Sequence, residues 1–175
     1  MPKIIKNGRI RVDDWQVLRL VEGETAESVA LPAGKVVVPL AVWQARQAEL
    51  AGRNDVGVWL NSNEPAEALA ADVGRLPVIG INFPKFADGR GYSIATLLRT
   101  RHAYKGELRA IGDVLRDQFF YMTRCGFDAL QPTEGRYTDA QLETALASFH
   151  DFSDPYQGAV DRPAPVWRRL NRSAA

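Results

Sequence analysis

Hydrophobic positions along this chain fall into short runs separated by polar, glycine-rich or proline-rich breaks. Lys3 to Lys6 and Arg9 to Val12 flank Asn7-Gly8. Asn-Gly between two β-prone runs predicts a two-residue hairpin, because both turn positions need positive φ. Trp15 to Val21 reads as a further strand, and the acidic stretch Glu22 to Ser28 as a surface loop. The hairpin reads as a ribbon separate from the remainder of the chain. From Gly34 onward a rhythm sets in. Apolar runs at Lys35–Leu40, Val56–Leu60, Val78–Ile81, Leu108–Ile111 and Phe127–Leu130 alternate with helical patterns. The helices are predicted over Ala41–Ala51, Pro65–Val73 with Asn63 as cap, Ser93–His102, Val114–Arg124 and a stretch from Thr138 to about Phe152. Thr138-Asp139-Ala140-Gln141 is a capping box.

Alternating short strands and helices imply parallel βαβ units with right-handed crossovers. The strand runs are apolar without alternation, as expected of strands covered on both faces. About five βα units with a mostly parallel sheet are therefore expected, preceded by the hairpin. A doubly wound open sheet and a partial barrel share this local pattern. Five units are too few for a closed eight-stranded barrel, so the open sheet is favoured. A single α/β domain is expected over residues 1–152, with the ribbon at 1–33 and the βα repeats at 34–152. The proline-containing stretch 153–175 reads as an extended tail that Trp167 and Leu170 would anchor to the body or to a second subunit.

Composition narrows the classes. The chain has 175 residues, 46% of them hydrophobic and 25% charged, with a net charge of +1. That balance offers no global field for nucleic acid or an anionic membrane. No apolar run approaches the roughly 18 residues of a membrane span, and no signal-peptide core is present. One cysteine and two histidines give no internal disulfide, zinc cluster or iron–sulfur site. A reduced, cytoplasmic protein without metal is expected, and exposed sheet edges favour a homodimer. GxxxxGK[ST] and GxGxxG are both absent, so no dinucleotide motif is found and the cofactor stays unknown.

Ligands of parallel sheets bind beyond the carboxyl ends of the strands. That rule selects Asn61, Asn63 and Glu64 after one strand, Asn82, Lys85, Asp88 and Arg90 after the next, and Asp113 after another. The loop from Phe83 to Ser93 is the richest. It carries two cations and two glycines and leads into a helix whose free N–H groups favour an anion. Asn61, Asn63, Lys85, Asp88, Arg90 and Ser93 are the candidate anion-binding residues, set against a plain turn in which Arg90 pairs with Asp88. Asp113 is the candidate catalytic carboxylate, with a helix N-cap as the favoured alternative. Glu107 and Arg109 share one face of their strand, where they could pair with neighbouring charges. Cys125 sits at the C-terminal end of a helix, the wrong end of the dipole for a nucleophile, so a structural role is expected.

The blocks INFPKFADGRGYSIATLLRTR and YKGELRAIGDVLRDQFFYMTRCGFDAL, together with KNGRIRVDDW near the start, resemble a bacterial family of unknown function. Its members often carry an oxidoreductase label, and their genes tend to lie beside assimilatory sulfite reductase. The resemblance implies a role near sulfate assimilation, with sulfite reductase or another sulfur-assimilation protein as partner, and it carries no catalytic residues with it. Sulfite reductase uses sirohaem and an iron–sulfur cluster, which one cysteine cannot hold, so the chain is not that catalytic subunit. An accessory protein acting by partner or small-anion binding is the first expectation. A small-molecule enzyme on an anionic substrate is the alternative.

Overall fold

A computed structural model describes residues 3–150 and 155–169. The strands are β1 (Lys3–Lys6), β2 (Arg9–Val12), β3 (Gln16–Val17), β4 (Val36–Pro39), β5 (Val56–Leu60), β6 (Val78–Phe83), β7 (Glu107–Gly112) and β8 (Ala129–Pro132). The α-helices are α1 (Leu40–Ala45), α2 (Gln47–Leu50), α3 (Arg90–Thr100), α4 (Arg116–Arg124), α5 (Asp139–Ala147) and α6 (Val166–Arg169). One sheet holds all eight strands in the order β2-β1-β8-β7-β6-β5-β4-β3. The strands from β3 to β8 are parallel, and the hairpin joins antiparallel through β1 and β8. Asn7 and Gly8 both have positive φ, as the two-residue turn requires.

The hairpin is thus an edge of the same sheet, not a separate ribbon. Its Ile5 faces the main core, and Asn7 N–H donates to the Asp128 carbonyl at 2.8 Å. The parallel strands are arranged in chain order without reversal, so the sheet is not doubly wound. Right-handed crossovers then place the helices that connect these strands on one face. On that face Val58, Leu60, Ile79, Ile81, Phe83, Leu108 and Ala110 meet Trp43, Leu98, Phe119, Met122 and Leu142.

The sheet is open but curled, and the chain itself shows why. Only Asp13, Asp14 and Trp15 separate β2 from β3, the two outer strands. Four Cα steps reach about 15 Å at most, whereas eight flat strands would put those edges about 34 Å apart. The sheet must bend to bring its edges together. The concave face carries Val37, Trp59, Val78, Asn82, Arg109, Ile111 and Gln131. It also carries glycines where the curl is tight: a Cβ on Gly80 would lie 2.9 Å from the Trp59 Cβ.

Several expected boundaries move. The Trp15–Val21 strand shrinks to Gln16–Val17. The helix expected over Pro65–Val73 is a 3-10 turn, Ala66–Leu69, with Pro65 and not Asn63 at its cap. Asp72 explains the arrest. Its buried carboxylate accepts the Trp43 indole N–H at 2.9 Å, the Gln47 amide and the Arg75 guanidinium, which ties this turn to α1 and α2. Thr138 does cap α5 as the sequence implies, and its hydroxyl accepts the Gln141 N–H. Part of the tail packs against the body. Val160 N–H donates to the Arg124 carbonyl at 3.1 Å, while Trp167 is exposed and does not anchor the tail to the body. Leu170 and the helix end near Phe152 lie outside the described residues. Among the described residues no helix is long and apolar enough to cross a membrane.

Candidate functional site

The C-terminal ends of β3, β5, β6 and β7 form one mouth of the curled sheet, and a continuous hydrogen-bonded chain runs across it. An Arg19 N–H donates to Asn82 Oδ1 at 3.1 Å. The Asn82 amide donates to Asn61 Oδ1 at 3.1 Å, which also accepts the Ser62 N–H at 3.0 Å. The Ser62 hydroxyl donates to Asp88 Oδ2 at 2.6 Å, and Arg90 grips both Asp88 oxygens at 2.9 and 2.7 Å. Strand alternation explains the membership. Trp59 and Asn61 point to the concave side of β5, and Asn82 does so on β6.

Of the candidate residues, Asn61, Asp88 and Arg90 therefore come together. Their roles differ from an empty anion cradle, because the first N–H of α3 already faces a carboxylate. Arg90 N–H lies 3.2 Å from Asp88 Oδ1. The chain's own Asp88 takes the place an anion would take at this helix start. Arg90, and after it Ser62, hold the Asp88 carboxyl far below its usual range. A carboxylate so held is a strut and a poor proton acceptor at neutral pH.

That gives a signed pH prediction. A lowered carboxyl pKa stabilises the fold above the unfolded value of 3.8, and the contribution is lost as pH falls below it. Asp88→Asn should lower the urea midpoint at pH 7, and the gap from wild type should close as pH drops from about 4 towards 2. A gap that ignores pH would mean that Asp88 acts through shape alone.

The other candidates are placed apart. Asp113 does not cap α4, which starts at Arg116 behind Leu115; instead the Gln118 side chain accepts the Leu115 N–H at 3.0 Å. Asp113 Oδ2 accepts the Phe86 N–H at 2.9 Å and lies near Arg136. It holds the β6–α3 loop from the opposite side to Ser62. The Lys85 and Asn63 side chains are exposed with no polar partner among the described residues, although the Lys85 carbonyl accepts the Asp88 N–H at 3.0 Å. Ser93 faces outward on α3, beside a cavity of about 290 Å³ lined by Tyr92, Tyr121 and Cys125. Burial raises the Cys125 thiol, which agrees with a structural role.

Sequence reasoning missed Ser62 and Arg19. Arg19 stacks over the Trp59 ring at 5.3 Å, and Trp59 donates its indole N–H to the Leu18 carbonyl at 2.9 Å. Arg19 as a whole is exposed, and partial burial of its guanidinium lowers its pKa. Among the described residues no carboxylate lies within ion-pair reach of it. Its signal was present in its place just past a β-prone run. Reading that run through Val21 put Arg19 inside a strand, where the end-of-strand rule never tested it. No three His, Cys, Asp or Glu side chains converge as a metal set among the described residues.

The fold and mouth define a singly wound α/β protein with a basic, hydrogen-bonded end. The family model described as "Bacterial protein of unknown function (DUF934)" matches residues 57–167, more than half of the chain, and the chain belongs to that family. The match begins inside β5 and reaches α6, so the hairpin and Arg19 precede it. Comparison with curated proteins finds no match.

Proposed function

We propose that the chain binds a small oxyanion at the C-terminal mouth of the sheet, with Arg19 as charged anchor and the Asn82 and Asn61 amides beside it. One observation carries this reading: Arg19 has a guanidinium held in place by Trp59 and Asn82, with no carboxylate to neutralise it among the described residues. A fixed, partly desolvated guanidinium is suited to the paired hydrogen bonds of sulfite, sulfate or phosphate. Exposed Lys85 adds a second cation on the loop above. The setting we propose is assimilatory sulfite reduction, in an accessory role, and this rests on the resemblance of the central blocks alone. An enzyme draws less support, because Asp88 and Asp113 are both engaged in holding the loop.

The test is a thermal-shift series with sulfite, sulfate and phosphate on wild type and on Arg19→Ala/Lys85→Ala. An anion bound only to the native state adds about 2.7 kcal/mol at a hundred times its dissociation constant, or roughly 5–10 °C for a chain of this size. The shift should vanish in the double variant. No shift in wild type, or an equal shift in both, would overturn the reading. A second reading, docking to sulfite reductase, has its own support in Phe86, which is 47% exposed beside Lys85 at the loop tip. Recovery of sulfite reductase by wild type but not by Phe86→Ser would favour it.

A further inference from the structure

The opposite end of the sheet holds a second basic site. Hairpin register puts Lys6 opposite Arg9 and Ile4 opposite Arg11. Ile5 and Ile10 pack on the helical core, so these four side chains all lie on the concave face. There they border a cavity of about 600 Å³ that extends past Trp15 to Lys35. It opens where β2 and β3, the unpaired edges, approach each other at the N-terminal ends of the parallel strands.

Its charges do not cancel. Four cations and two carboxylates line it, and both carboxylates are already engaged. Asp13 is paired with Arg109 and Asp14 with Lys35. Lys6 is paired with Glu107. Arg9 and Arg11 are left, exposed and without an acidic partner among the described residues. Their spacing of two residues along a strand, about 6.8 Å, lets both guanidinium groups reach one phosphate-sized dianion. Partly buried Trp15 also lines the cavity, with the Lys35 ammonium 5.9 Å from its ring centroid, which leaves one face of the ring for a base. The volume falls within the range of small-molecule sites.

We propose that this cleft binds a nucleoside monophosphate, with the phosphate on Arg9 and Arg11 and the base against Trp15. The site is separate from the oxyanion mouth and does not depend on it. Isothermal titration with adenosine 5′-monophosphate, adenosine and inorganic phosphate tests it. With the mouth removed by Arg19→Ala/Lys85→Ala, the nucleotide should still bind, and adenosine and phosphate should each bind at least about tenfold more weakly. Arg9→Gln/Arg11→Gln should lose at least about tenfold in nucleotide affinity, and so should Trp15→Leu. Arg19→Ala should leave nucleotide binding unchanged. Absence of nucleotide binding, or full affinity in the arginine double variant, would overturn the proposal. Phosphate binding to the Arg19→Ala/Lys85→Ala variant as tightly as the nucleotide would overturn the role of Trp15. Loss in Arg19→Ala alone would move the ligand to the mouth. Arg9 and Arg11 are exposed and have no acidic partner among the described residues, so the double variant should keep the wild-type urea midpoint and its binding loss can be read directly.

Discussion

Arg109→Ala is expected to lower stability by about 3–5 kcal/mol, the cost of stripping one partner from a buried ion pair. Arg109 is fully buried in the middle of β7. Its guanidinium donates to both Asp13 oxygens, to Glu107 Oε1 at 2.7 Å and to Gln131 Oε1 at 2.9 Å. Burial by itself pulls the Arg109 pKa down, and the Asp13 and Glu107 carboxylates more than offset it. The position matters as much as the charge. Asp13 belongs to the three-residue link between the outer strands, so this pair fastens that link to the centre of the sheet and holds the curl. With Arg109 gone, Asp13 and Glu107 stay buried, and only Lys6 remains to answer Glu107. Total stability of a domain is commonly about 5–15 kcal/mol, so the variant should be near the edge of folding.

A double-mutant cycle with Asp13→Ala makes the claim sharp. If the two side chains act as a unit, Asp13→Ala also costs several kcal/mol and the double variant loses clearly less than the sum, with coupling of about 1–3 kcal/mol. Urea midpoints with an unchanged slope would read it. Additive losses, or a single loss under about 1 kcal/mol, would show that the curl is held by packing and not by this pair.

The outer half of this fold was legible in the sequence and the inner half was not. Runs such as Val36-Val37-Val38 and Val78-Ile79 announce covered strands because both faces are apolar there. Asn7-Gly8 announces its turn because few other pairs tolerate it. Glu107 and Arg109 were visible as a same-face pair. Their partner was not, because Asp13 is 96 residues away from Arg109 in the chain and only the curl brings it near. The curl itself depends on a two-residue strand, Gln16–Val17, too short for any periodicity to register. The same short strand hid Arg19. The Lys85–Arg90 loop was legible only as two alternatives, an anion cradle and a plain turn in which Arg90 pairs with Asp88. The pair is what forms, and Asp88 fills the helix start. Residue types alone do not choose between a cradle and a cradle already occupied.

Gly112→Ala is expected to cost about 2–4 kcal/mol, from positive-φ strain of about 1–2 kcal/mol and the crowding of a new methyl. Gly112 ends β7 with φ of 94°. A Cβ there would lie 2.5 Å from the Phe83 carbonyl oxygen and 2.7 Å from Asn82 Oδ1. The first contact is backbone, pinned by the β6–β7 ladder in which Phe83 pairs with Gly112. The second is the atom that accepts from Arg19. Moving the Asn82 side chain relieves the second contact only, at the expense of the Arg19–Asn82–Asn61 chain, and the first remains as crowding against the ladder. Gly135 supplies the control, since it has φ of 75° and open space around its would-be Cβ. Gly135→Ala should carry the backbone strain alone, about 1 kcal/mol. The difference between the two urea midpoints isolates the crowding. The oxyanion-dependent thermal shift should weaken in Gly112→Ala and survive in Gly135→Ala. Equal costs would mean that the mouth yields freely, and a full shift in Gly112→Ala would separate Asn82 from the anion.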